Sequence, residues 1–176
     1  MTAEFIRDAA ATAAIFGFFG SMWFGWAQEK PPQAWKKWLV AGSVLSVLTA
    51  VAGGLLAWRH WSDGTAFDDS TGRTFGIIVG IEFAVAGLGA LLLALRRRPE
   101  FIPAWIALVV GVHFFPLAPL LHYPLLYVVA ALVTLVALAA IPVARSRSLL
   151  VSAVTGVATG TILLATALFS AATVVL

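Results

Sequence analysis

The sequence predicts an all-α fold: a polytopic integral membrane protein built as a bundle of six transmembrane helices. Of its 176 residues, 61% are hydrophobic and only 11% are charged, against about 45–50% apolar and about 25% charged in a soluble domain. The apolar residues fall into six runs, each near the roughly 20 residues that cross about 30 Å of hydrocarbon. Prolines, charges and tryptophans gather between the runs, where a helix would leave the hydrocarbon. Six helices and short connections use nearly the whole chain, so a single transmembrane helical domain over residues 1–176 is expected.

The first helix is read over residues 4–27. Its start sets Arg7 against Glu4 and Asp8, and its far end, Trp23-Phe24-Gly25-Trp26-Ala27-Gln28, lacks the small-x-small pattern of signal cleavage. It is expected to be retained, anchored by its terminal aromatics. Pro31-Pro32 ends it, since neither proline donates a helix hydrogen bond. In the second helix, residues 34–58, Ser43, Ser46, Ala50, Gly54 and Ala57 recur at three- or four-residue spacing, a stripe suited to close helix contact in lipid.

A long polar connection with His60, Asp63, Asp68 and Asp69 leads to the third helix, residues 74–95. There Gly76, Gly80 and Ala84 repeat every fourth residue, with Gly87 following, while Glu82 lies roughly 160° around the helix from Gly80. Protein on both sides, and a central position, are expected for this helix. The fourth, residues 101–121, tolerates Pro103 in its first turn. Pro116 and Pro119 cannot bond the carbonyls of Val112 and Phe115, which predicts a bend or break just past His113. The fifth helix, residues 125–144, ends at Arg145-Ser146-Arg147. In the sixth, residues 149–174, Ser152, Thr155, Thr159, Thr166, Ser170 and Thr173 share an arc of about 60°, beside the pair Gly156 and Gly160.

Orientation follows from eleven Lys and Arg. Eight lie in the first, third and fifth connections: Lys30, Lys36, Lys37, Arg96, Arg97, Arg98, Arg145 and Arg147. Three, Arg7, Arg59 and Arg73, lie on the other side. Basic residues mark the cytoplasmic side, so a multi-pass protein of the plasma (cytoplasmic) membrane with both termini outside is expected. The same clustering at helix ends leaves no basic patch for nucleic acid. The chain has no cysteine, which excludes disulfides, thiolate metal sites and thiol catalysis. No H-E-x-x-H, G-x-S-x-G or phosphate loop occurs, so enzyme chemistry is disfavoured and no cofactor is expected. His60, Asp63, Asp68, Asp69 and His122 would meet on the outer side, but their spacing fits no metal motif and reads better as a solvated loop.

The candidate site is a pair of ionisable residues inside apolar runs. Glu82 lies 13 residues before Leu95 and His113 lies 12 after Phe101. At a rise of about 1.5 Å per residue, both sit roughly 18–20 Å from the basic turn that joins their helices. Two neighbouring antiparallel helices would bring them together, and ionisable groups at that depth are costly enough to indicate a function. The expected function is a small membrane transporter or intramembrane binding protein for a small solute, ion or lipid. Glu82 would carry the proton or cation, with His113 its partner and Thr159 and Thr166 lining the path. The alternatives are a non-transporting sensor, chaperone or subunit in which the pair is structural, and, more remotely, a lipid-acting enzyme using the pair as acid and base. The bilayer is the expected partner, and the small-residue faces leave room for a homodimer.

Overall fold

Apolar runs of this length satisfy their backbone groups internally by closing helical hydrogen bonds. The computed structural model describes residues 2–176 and holds six such helices. They are α1 (Ile6–Trp26), α2 (Lys36–Arg59), α3 (Asp69–Leu95), α4 (Ile102–Leu120), α5 (Leu125–Ser146) and α6 (Val151–Val175). Single 3-10 turns, Gln33–Trp35 and Pro99–Phe101, lead into α2 and α4. The described residues are 82% helical with no strand, so the all-α class holds. Each helix is long and apolar enough to cross a membrane.

Helix α3 begins five residues before the expected position 74, for a local reason. Asp68 stands at its cap in extended backbone, and its carboxylate accepts from the Thr71 N–H at 2.6 Å and the Ser70 hydroxyl at 2.9 Å. Such a cap satisfies a donor that the first helical turn leaves free. A hydropathy count passes over it because the first turn is polar. The Thr71 N–H, aided by the Ser70 hydroxyl, holds the Asp68 carboxyl down to about 2, below its ordinary 3.8. A lowered folded value means that the cap contributes fully above pH about 4 and is lost as pH falls through about 2. The Thr71 amide should lose hydrogen-exchange protection across that window, and Asp68→Ala should remove it at neutral pH. Unchanged protection in the variant would refute the cap.

No break follows His113. Helix α4 runs through Pro116 and Pro119 to Leu120. The prolines remove two bonds of the ladder near its end, and the chain closes the terminus beyond them: the Leu121 N–H bonds the Leu117 carbonyl at 2.9 Å and the Tyr123 N–H bonds the Ala118 carbonyl at 3.0 Å. His122, at φ +50°, makes the turn. Helix α5 likewise continues through Pro142 to Ser146.

Helix α6 is the hub and packs against α1, α2, α4 and α5. Its hydroxyl stripe turns inward: Ser152, Thr155, Thr159, Thr166 and Ser170 are buried, and Ser170 pairs with the Tyr123 hydroxyl at 2.7 Å. Gly156 lets α1 close in, since a Cβ there would lie 2.6 Å from the Trp23 carbonyl oxygen. Between α1 and α2 the intimate contact is at Gly53, where a Cβ would meet the Ala14 backbone nitrogen at 2.5 Å, while Gly54 faces open space. The expected α2 stripe is thus right at Ser46 and Ala50 and displaced by one residue at its glycine.

The expected central place of the third helix is wrong. Helix α3 has no buried residue, and α4 is its only extensive helix partner among the described residues. Gly76, Gly80 and Gly87 meet nothing within 4 Å. Small-residue spacing shows where a helix can be approached, not that a partner is there.

Opposite the basic turns, a polar lattice ties the N-terminal segment to the α2–α3 connection. Asp8 accepts from the Thr65 hydroxyl and the Ala66 N–H, both at 2.7 Å, and Arg7 lies 3.9 Å over the Trp61 ring. His60 pairs with Asp63 and His122 with Glu4, each at 2.6 Å. These pairings divide up the residues weighed for a metal site, and no three such ligands converge among the described residues.

Candidate functional site

Two contacts fasten α3 to α4, and both arise from residues at matching distances from the basic turn. Nearer the turn, Trp105 lies over Gly89, and its indole N–H donates to the Val85 and Ala86 carbonyls at 3.3 Å each. The fit requires glycine, because a Cβ at residue 89 would lie 2.0 Å from the indole nitrogen. Sequence reading missed this contact. The depth count that aligns Glu82 with His113 also places Gly89 and Trp105 within about 3 Å of one height, so the signal was present.

About two turns further on, Glu82 and His113 meet, with Oε2 and Nε2 3.4 Å apart. Their side chains are 14% and 12% exposed, so the pair lies in the seam between helices rather than in an enclosed core. The other imidazole nitrogen, Nδ1, is 2.6 Å from the Val110 carbonyl oxygen. A carbonyl only accepts, so Nδ1 carries a hydrogen. In the neutral ring Nε2, the nitrogen nearer Glu82, is then the acceptor. A proton taken up by the pair can rest on the carboxyl as COOH or on the ring as N–H⁺ beside COO⁻. Either arrangement is neutral overall. At 3.4 Å the two atoms are a few tenths beyond an ordinary N–H···O bond, in contact but not clamped. The His113 ring leans on Phe114, with centroids 4.2 Å apart.

The hydroxyls expected to join them do not. Thr159 and Thr166 lie on α6, which packs against α4 but has no extensive contact with α3. Thr166 returns its hydroxyl to the Ile162 carbonyl at 2.9 Å. Thr159 is fully buried with no hydrogen-bond partner, as are the hydroxyls of Thr155 and Ser46. In this position they serve as small residues at tight helix contacts.

Fold and site together define a six-helix apolar bundle with an acid–imidazole pair on the seam of its outermost helix. No family model matches the chain, and no curated protein or solved structure matches it.

Proposed function

We propose that the chain is a small integral membrane protein that takes up and releases a proton at Glu82–His113 while binding or moving a small solute, ion or lipid. The observation that carries this reading is the Nε2–Oε2 contact at 3.4 Å with Nδ1 committed to the Val110 carbonyl. With Nδ1 so committed, a proton shared between Nε2 and the carboxyl would keep the pair neutral beside hydrocarbon. A cation reaching the seam would replace the proton on Glu82, and its departure would let the proton return. Because α3 is outermost, access is sideways through the α3–α4 seam. The distribution of Lys and Arg supports a cytoplasmic location for the Arg96–Arg98 turn, with both termini outside.

The second reading, a structural lock, has an observation of its own: the pair lies on the one extensive seam that holds α3. Magnitudes decide between them. An interhelical hydrogen bond in a membrane averages about 0.6 kcal/mol, while an acid at the centre of a spanning helix costs about 2.5–3.5 kcal/mol to insert. Stability alone would be served better by two apolar side chains, and Trp105 on Gly89 already docks the helix. The test uses purified protein in vesicles with a trapped pH dye under an imposed membrane potential. Proton movement should exceed that of empty vesicles and fall at least tenfold in Glu82→Gln, with unfolding unchanged within about 1 kcal/mol. If Glu82→Leu and His113→Leu instead unfold α3 and no proton movement is seen in the parent, the lock is the better account.

A further inference from the structure

On the face bearing the basic turns, two clefts adjoin at Leu149, far from Glu82 along the chain. One, of about 450 Å³, runs between the start of α2 and the α5–α6 turn, lined by Trp35, Val143, Val154, Val157 and Ala158 together with Arg147. The other, of about 340 Å³, is bounded by Lys30, Pro31, Pro32 and Ser148. We propose that together they bind one anionic phospholipid, its phosphate held by Lys30 and Arg147 and an acyl chain lying along the apolar cleft.

Three observations select this occupant. The first is charge. Lys30 and Arg147 are exposed and make no ion pair among the described residues, whereas Arg145, two residues away, faces the Phe101 ring at 5.8 Å. The acids on this face are Glu29, next to Lys30, and Glu100, 3.8 Å from Arg98. Positive charge therefore outweighs negative on this face, and an anion completes it. The second is lining: the first cleft is apolar apart from Arg147 and adjoins a second that carries Lys30 and Ser148, which suits an amphiphile, whereas a free anion would use only the basic residues. The third is the indole of Trp35, a side chain that favours the headgroup level. Beside the cleft, Leu150 stands at the cap of α6 with no side-chain cap bond, so the first N–H groups of that helix add positive potential at the same end.

The test is native mass spectrometry of the full chain released from bilayers of mixed phosphatidylglycerol and phosphatidylcholine. The parent should retain one phosphatidylglycerol in preference. A basic side chain near an anionic lipid surface is worth about fivefold, so Lys30→Gln with Arg147→Gln should lower that preference by about 25-fold. Arg96→Gln with Arg97→Gln removes equal charge from the same face and should leave it unchanged. Ala158→Trp fills the slot without touching charge and should also expel the lipid. Equal loss in both charge-removed proteins would show general surface attraction and overturn the proposal. So would retention in the Lys30/Arg147 variant or in Ala158→Trp, or displacement of the lipid by millimolar inorganic phosphate alone. Each variant alters an exposed or half-buried position, and an unchanged unfolding midpoint verifies the fold.

Discussion

Gly53→Leu should separate α1 from α2 and destabilise the bundle by about 3 kcal/mol or more, at the upper end of overpacking costs. The size of the effect comes from what the new side chain meets. A Cβ at residue 53 would lie 2.5 Å from the Ala14 nitrogen, 2.9 Å from the Ala13 carbonyl carbon and 3.0 Å from the Ala10 oxygen. All three atoms are backbone of α1, so no rotamer change relieves the clash and the helices must part. Their separation would also disturb the approach at Gly17, where a Cβ would lie 2.7 Å from each of the Ser46 oxygen and the Ala50 nitrogen. The neighbouring residue is the control. Gly54 meets nothing within 4 Å, and Gly54→Leu should shift stability by no more than about 0.5 kcal/mol. Denaturant unfolding in micelles reads both, and equal effects would mean that α2 is rotated from the described packing.

Gly89→Ala should loosen α3 from α4 while leaving the rest of the bundle folded. A Cβ there falls 2.0 Å from the Trp105 indole nitrogen and 2.6 Å from Cζ2, so the indole must swing out and surrender its bonds to the Val85 and Ala86 carbonyls. Lost bonding at about 0.5–1.5 kcal/mol adds to strain at about 1–3 kcal/mol, and α3 has no other extensive helix contact to hold it. Cysteines placed across the seam should crosslink far more slowly, with the global unfolding midpoint little moved. Trp105→Ala should partly restore crosslinking in the Gly89→Ala background, because it removes every ring atom that the new Cβ would meet. Gly80→Ala, on the open side of α3, should change nothing. Failure of the alanine rescue would count against the indole–glycine contact.

These two glycines show how far the sequence could be read. Hydropathy runs place helices well, because an apolar backbone must close its own hydrogen bonds wherever the run lies, and five of the six helices start and end within about two residues of expectation. The sixth, α3, escaped because its first turn is set by the Asp68 cap rather than by hydrophobicity. The meeting of Glu82 and His113 was legible because depth in an antiparallel pair of helices is simple counting. Rotation about each helix axis was not. Gly53 and Gly54 differ by about 100° on the helix, and nothing in local spacing says which faces α1. The position of α3 was illegible for a similar reason: Gly76 and Gly80 make a surface that can be approached, and only the whole packing shows that α6, with its inward hydroxyls, holds the centre instead. The prolines of α4 do not break the helix, since two missing bonds close to its end are accommodated there.

The proton arrangement at Glu82 and His113 is most directly tested by nitrogen-15 NMR of the histidine rings in lipid, titrated in the parent and in Glu82→Gln. The His113 Nδ1 should carry hydrogen throughout in both proteins, held by the Val110 carbonyl. Its Nε2 resonance should respond to pH in the parent and shift on substitution, because the group facing it has changed from a proton-sharing acid to an amide. Hydrogen on Nε2 with Nδ1 bare, or an Nε2 signal indifferent to the loss of the acid, would contradict the shared proton and the proposed function that rests on it.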